Sequence, residues 1–134
     1  MLESVNQISE FFSGELDIIA VYLFGSEAKG KATEKSDLDF AVLLEEGFDY
    51  EANFDYKLKL TGRLEDLTGR SVDLVFLDHA DQVLQHQIRK YGRIIFERDR
   101  GRRIAAEVLS RKRYFDFLPM HEKYMEGLAL KSGL

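Results

Sequence analysis

The spacing of apolar residues along the chain predicts short strands alternating with amphipathic helices. A run that is apolar on both faces, over residues 18–24, predicts a central buried strand. Alternating apolar positions predict a second strand over 37–44. The same criteria place further strands at 72–77 and 93–97, and helical spacing places helices at 2–12, 50–68, 80–91 and from about 98 onward.

Local signals refine the ends of these helices. Gly69 is expected to end the helix over 50–68, whose apolar positions are Phe54, Leu58, Leu64 and Leu67. Asp78 is expected to cap the N-terminus of the next helix, which ends at Gly92. Pro119, the only proline, is expected to break or kink the C-terminal helix before it resumes over 120–130.

These elements predict one α/β (α+β) domain, with a small mixed β-sheet flanked by helices and a C-terminal helical arm. Residues 1–97 would form the core, and residues 98–134 would form a helical extension packed on the same domain. The strand order is left open by the pattern.

Composition narrows the function classes. The 134 residues are 45% apolar and 32% charged, as in a folded globular domain, and contain no cysteine, which excludes disulfides and a thiol nucleophile. No apolar run approaches the roughly 20 residues that span a bilayer, and no signal peptide is visible, so a cytoplasmic location is expected. The net charge of −5 argues against direct nucleic-acid binding. A basic segment over 93–113 carries +5 of its own and suggests a face for an acidic partner.

The most informative stretch follows the first strand. Gly25-Ser26 forms a turn in which backbone N–H groups and a hydroxyl could hold a phosphate, and glycine permits the anion to come close. Ten residues later, Asp37 and Asp39 occupy positions i and i+2 of a strand, so both carboxylates point to one face. Such a pair suits Mg²⁺ bound to substrate phosphates.

A third carboxylate is expected from a neighbouring strand, and Asp73 fits this place. It lies between apolar Val72 and Leu74, so we expect a buried strand on which an unpaired carboxylate would be costly. Metal coordination would remove that cost. A plain turn with surface or capping aspartates is the alternative.

Together, Gly25, Ser26, Asp37, Asp39 and Asp73 resemble the motif of minimal nucleotidyltransferases (MNT) of the DNA polymerase β superfamily. Within the stretch 24–30, Glu27 and Lys29 stand where that family often has Arg, which leaves Lys29 as the cationic candidate of the loop. Segments 87–99 and 114–119 resemble MntA-type antitoxins of HEPN/MNT toxin–antitoxin pairs.

The resemblance implies a polymerase β-type fold and a Mg²⁺-dependent transfer of AMP from ATP. Asp37, Asp39 and Asp73 would be the catalytic residues and would hold two Mg²⁺ ions, whereas Gly25, Ser26 and Lys29 would bind the nucleotide. The acceptor would be a tyrosine of a partner HEPN ribonuclease toxin, in a hetero-oligomer. Two alternatives stay open: an antitoxin that acts by binding alone, and a small-molecule nucleotidyltransferase, although few residues follow the fourth strand to hold such an acceptor.

Other residues receive structural interpretations. His86 and His121 have no second histidine nearby in sequence and are expected to be surface or packing residues rather than ligands. Tyr114, Phe115, Phe117 and Leu118 are expected to pack in a core or an interface rather than to stack on bases.

Overall fold

The computed structural model describes residues 5–25, 30 and 37–131, and the structural statements below concern those residues. These described residues form four helices, four strands and one 3-10 turn. In chain order they are α1 (Val5–Ser13), β1 (Ile18–Phe24), β2 (Leu38–Leu44), α2 (Tyr56–Thr68), β3 (Val72–Phe76), the 3-10 turn (Leu77–His79), α3 (Gln82–Tyr91), β4 (Arg93–Glu97) and α4 (Arg100–Lys131).

The strands form one mixed sheet in the order β3-β2-β1-β4. β1 pairs antiparallel with β2 and β4, whereas β2 and β3 are parallel. The predicted α/β class and mixed sheet are therefore confirmed. β1 lies at the centre, as its two apolar faces predict, with six of its seven residues buried.

Each face of the sheet is covered by two helices. On one face, α1 and α2 contribute Ile8, Phe12, Leu60 and Leu64 to a cluster with residues of all four strands. On the other face, Tyr22 and Leu43 of the sheet pack with Ile88 of α3 and Ala106 of α4. The two layers hold the sheet rigidly from both sides, which fixes the ends of the strands that carry the site.

Helix α2 differs from its prediction at its start and on its buried face. Residues 50–55 form turns instead of helix, and the Asp49 carboxylate accepts a hydrogen bond from the Ala52 N–H at 3.0 Å. Leu60 and Leu64, four residues apart, face the core, whereas Leu58 is 76% exposed because it lies two residues off that row. The predicted Gly69 end is confirmed: its φ is +66° and its N–H donates to the Glu65 carbonyl.

The predicted cap of α3 is wrong, and one of the two alternatives predicted for Pro119 is excluded. Asp81, not Asp78, caps α3: its carboxylate accepts from the Leu84 N–H at 2.8 Å, and Asp78 lies in the 3-10 turn. Helix α4 runs through Pro119 to Lys131, so the proline does not break it, and the expected alternative of a kink stays a prediction. A proline removes only its own N–H from the ladder, so the other hydrogen bonds can sustain the helix. Among the described helices, none has the length and apolar character needed to cross a membrane.

Candidate active site

Gly25 and Asp39 are packed against each other at one end of the sheet. The antiparallel register pairs Phe24, the last residue of β1, with Asp39 near the start of β2. Gly25 follows with a φ of +70°, and a Cβ atom at this position would lie 2.2 Å from Oδ2 of Asp39. Both the backbone conformation and the close approach therefore require glycine here. The sequence suggested that glycine at this position lets a phosphate come close. The structure adds that it also lets the Asp39 carboxylate come close.

The parallel pairing of β2 with β3 brings the second carboxylate to this place. Asp39 and Asp73 are register partners, so they are neighbours across the two strands. Asp37 precedes β2 by one residue and lies two positions from Asp39, on the same side of the chain. The expected juxtaposition of Asp73 with the Asp37–Asp39 pair is thus present in the backbone.

The expected burial of Asp73 is wrong. β3 is an edge strand of the described sheet, and Asp73 is exposed although Leu74 beside it is buried. Solvation along the open edge removes the desolvation cost that the flanking apolar residues suggested. The case for Asp73 as a functional residue rests instead on its register with Asp39.

The three carboxylates interact electrostatically. Partial burial raises the pKa of Asp39, and the negative charges of Asp73 and then Asp37 raise it further. In the described residues no positive group offsets this effect on Asp39. The site therefore favours a proton or a cation at Asp39.

The donor set consists of carboxylate oxygens, which fits a hard divalent cation such as Mg²⁺. As the side chains stand, no group of three or more His, Cys, Asp or Glu residues in the described part of the chain is arranged to enclose a metal ion. Exposed carboxylates such as those of Asp37 and Asp73 can change rotamer at little cost, so the fit concerns donor chemistry and position.

The loop candidates Ser26 and Lys29 lie outside the described residues.

The two histidines that were expected to be surface or packing residues have aromatic neighbours. His86 stacks on Tyr114 at 4.1 Å between ring centroids, and His121 stacks on Phe117 at 5.0 Å. Both contacts agree with packing roles. Phe115 is 61% exposed, so the aromatic cluster is not core.

Several arginines of the basic segment 93–113 form hydrogen bonds or ion pairs with other residues of the same chain. The Arg98 guanidinium donates to the carbonyls of Phe12, Ser13, Glu15 and Ile18 at 3.0–3.2 Å. Arg102 pairs with Glu45, and Arg103 pairs with Glu97 and Glu107. Sequence reasoning missed the role of Arg98, because carbonyl acceptors leave no mark in the sequence. Because these three arginines have partners within the chain, the positively charged face expected over 93–113 is smaller than the sequence suggested.

Comparison with known proteins places this arrangement in a family. The family Polymerase beta, Nucleotidyltransferase matches residues 6–101, well over half of the chain. A structure described as a putative minimal nucleotidyltransferase is 33% identical with a TM-score of 0.55, and the match covers 69% of this chain and 93% of that one. No curated protein sequence gives a significant match.

Two other solved structures share the fold over almost the whole chain. One, described as a toxin–antitoxin with AMP-PNP, is 24% identical with a TM-score of 0.78, covering 92% of this chain and 97% of that one. The other is described as a tri-AMPylated Shewanella oneidensis HEPN toxin in complex with MNT antitoxin; it is 22% identical with a TM-score of 0.73, covering 93% and 95%. On the family match and the relative at 33% identity, with the glycine and carboxylates in place, this chain belongs to the polymerase beta nucleotidyltransferase family.

Proposed function

We propose that this chain is an antitoxin that transfers AMP from ATP to a tyrosine of a partner HEPN ribonuclease toxin and so neutralises it. The observation that carries the proposal is the Asp39–Asp73 register, with Gly25 packed against Asp39. Support for the partner comes from the fold shared with chains of toxin–antitoxin structures that contain AMP-PNP or an AMPylated HEPN toxin. The reaction would take place in the cytoplasm, within a hetero-oligomer.

The carboxylates have distinct roles in this proposal. Asp37 and Asp39 would hold one Mg²⁺ ion, and Asp73 together with them would hold a second. When bound, two such ions neutralise charge on the attacking and leaving oxygens. Partial burial, and then repulsion by Asp73 and Asp37, raise the pKa of Asp39, and a bound cation would offset that repulsion.

The phosphate end of the nucleotide would lie at the end of β1. Gly25 has no side chain and so admits the Asp39 carboxylate, while Ser26 and Lys29, which follow it in the chain, would donate a hydroxyl and an ammonium group to the β and γ phosphates. Positioning the triphosphate against the carboxylates would supply most of the rate enhancement.

The transfer itself is a substitution at the α-phosphorus of ATP. The tyrosine oxygen forms a bond to that phosphorus, the bond to the β-phosphate bridging oxygen breaks, and pyrophosphate leaves. The phenolic proton passes to Asp73 or to water at the exposed edge of β3. The product is an AMP–tyrosine phosphodiester on the toxin.

The test is co-expression of the chain with a candidate HEPN partner protein and intact-mass measurement of that protein. Wild type should add one or more AMP units, and the Asp37→Asn/Asp39→Asn variant should add none. Asp66→Asn, an exposed aspartate on α2, is the matched control and should behave as wild type.

Two results would contradict the enzymatic proposal. An unmodified toxin that is still bound and inhibited by wild type would indicate an antitoxin that acts by binding alone. Full modification by the Asp37→Asn/Asp39→Asn variant would show that these carboxylates are not the catalytic site. Peptide mapping of the modified toxin then tests whether the acceptor is a tyrosine.

A further inference from the structure

A cavity of about 270 Å³ lies between α3 and α4, apart from the catalytic carboxylates. Three cations and three rings line it: Arg89, Lys90, Arg111, His86, Tyr114 and Phe115. Among the residues that the structure describes, no acidic side chain lines the cavity. Its chemistry is therefore that of a receptor for an anion attached to an apolar or aromatic group.

Arg89 is held in a fixed position within this cavity. Its Nη1 donates to the Ser110 hydroxyl, which in turn donates to Oε1 of Gln85 at 2.6 Å. Ser110 and Gln85 are both buried, and the guanidinium lies 5.7 Å from the centroid of the Tyr114 ring. The orientation of the guanidinium is thus set before any ligand arrives, which lowers the entropic cost of binding.

The same guanidinium has unused hydrogen-bonding capacity. Its Nη2 is buried and has no acceptor among the described residues. A buried N–H without an acceptor is costly, and a bound anion that contacts Nη2 would remove that cost. Burial, and then the positive charge of Arg111 in the same cavity, lower the pKa of Arg89, and the negative charge of Glu107 opposes this shift.

The rings provide a surface beside these cations. His86 and Tyr114 stack with an interplanar angle of 5°, and Phe115 is 61% exposed. A planar ring can pack on such a surface while its phosphate contacts the cations. A lone carboxylate would leave most of the volume unfilled and at least one cation without a partner.

We propose that the α3–α4 cavity binds a nucleoside monophosphate, with Arg89, Lys90 and Arg111 contacting the phosphate and the aromatic side chains contacting the base. The site is separate from the catalytic one, since it shares none of Gly25, Asp37, Asp39 or Asp73. The inference does not depend on the proposed transfer reaction.

The experiment is calorimetric titration of AMP into the full chain carrying Asp37→Asn/Asp39→Asn, without divalent cations, so that the catalytic site is silenced. Adding Lys90→Gln/Arg111→Gln should weaken AMP binding at least tenfold. The control pair Lys112→Gln/Arg113→Gln removes the same charge from exposed neighbours outside this cavity and should change it less than threefold. Inorganic phosphate should compete with AMP, and the His86 ring resonances should shift on binding.

Absence of AMP binding, or an equal loss in both pairs, would overturn the proposal. Binding that inorganic phosphate does not displace would overturn recognition through the phosphate. Because the catalytic carboxylates are replaced in the test protein, failure here leaves the proposed transfer reaction unaffected.

Discussion

Replacing Gly25 by alanine perturbs the site through one methyl group. The new Cβ would lie 2.2 Å from Oδ2 of Asp39, and ordinary contact begins at 3.4 Å. The carboxylate or the turn must therefore move by about 1.2 Å, which is the difference between these two distances. Asp39 is part of the strand pairing on both sides, so the side chain is expected to give way.

The expected effect has two parts. A non-glycine residue at a φ of +70° costs about 1–2 kcal/mol of folding stability. A displacement of about 1 Å in a catalytic group can cost roughly 100-fold in rate, which corresponds to about 2.7 kcal/mol in the barrier. We therefore expect Gly25→Ala to lower kcat for AMP transfer about 100-fold while the protein remains folded.

The assay measures pyrophosphate release with the partner toxin, together with thermal unfolding of the free chain. Gly69→Ala is the matched control, since Gly69 has a φ of +66° and an added Cβ would have no neighbour within 4 Å. The control should lose similar stability and keep its activity. Activity of Gly25→Ala within threefold of Gly69→Ala would refute the reasoning that Gly25 protects the position of Asp39.

Three further changes test other parts of the structure. The pKa of Asp39 is raised from 3.8, so the protonated carboxyl group stabilises the fold at low pH, and this contribution is lost as the pH rises through the raised pKa. Asp39→Asn should therefore unfold at a higher temperature than wild type at pH 7 in EDTA, and this difference should disappear below pH 3.8. Tyr22→Phe should cost about 1–2 kcal/mol in urea unfolding, because the buried hydroxyl donates to Glu107 at 2.6 Å; an unchanged midpoint would contradict this role. Arg98→Gln should cost roughly 2–3 kcal/mol by the same measurement without changing kcat of the folded fraction, and a selective loss of activity would instead indicate a role at the site.

The strands were predictable from the sequence because their apolar runs are short and bounded by turn residues. β1 is the clearest case, since seven apolar residues in succession suit only a strand that is covered on both faces. The helix ends were less predictable. The carboxylates of Asp49 and Asp81 accept hydrogen bonds from nearby backbone N–H groups, and other residues close to these helix starts could have formed equivalent bonds. Which aspartate caps a helix depends on backbone geometry that a sequence pattern does not specify.

The candidate site likewise has features that were predictable from the sequence and features that were not. The spacing of Asp37 and Asp39 already places their side chains on one face, since that follows from strand geometry alone. The exposure of Asp73 depends on strand order, which local patterns do not contain, and so the expectation of burial was wrong. The contact between Gly25 and Asp39 depends on the β1–β2 register and could be found only in three dimensions.

The position of Asp73 on an open strand has a consequence for solubility. β3 has the sequence Val-Asp-Leu-Val-Phe and lies at the edge of the described sheet, where backbone groups that are not bonded to β2 could template the addition of a strand from another molecule, although the Val72 N–H already donates to Glu65. One charge in an otherwise apolar edge strand is a recognised barrier to such association. Asp73 would thus protect the monomer from aggregation as well as serve the site, and substitutions there would reduce the yield of soluble protein along with its activity.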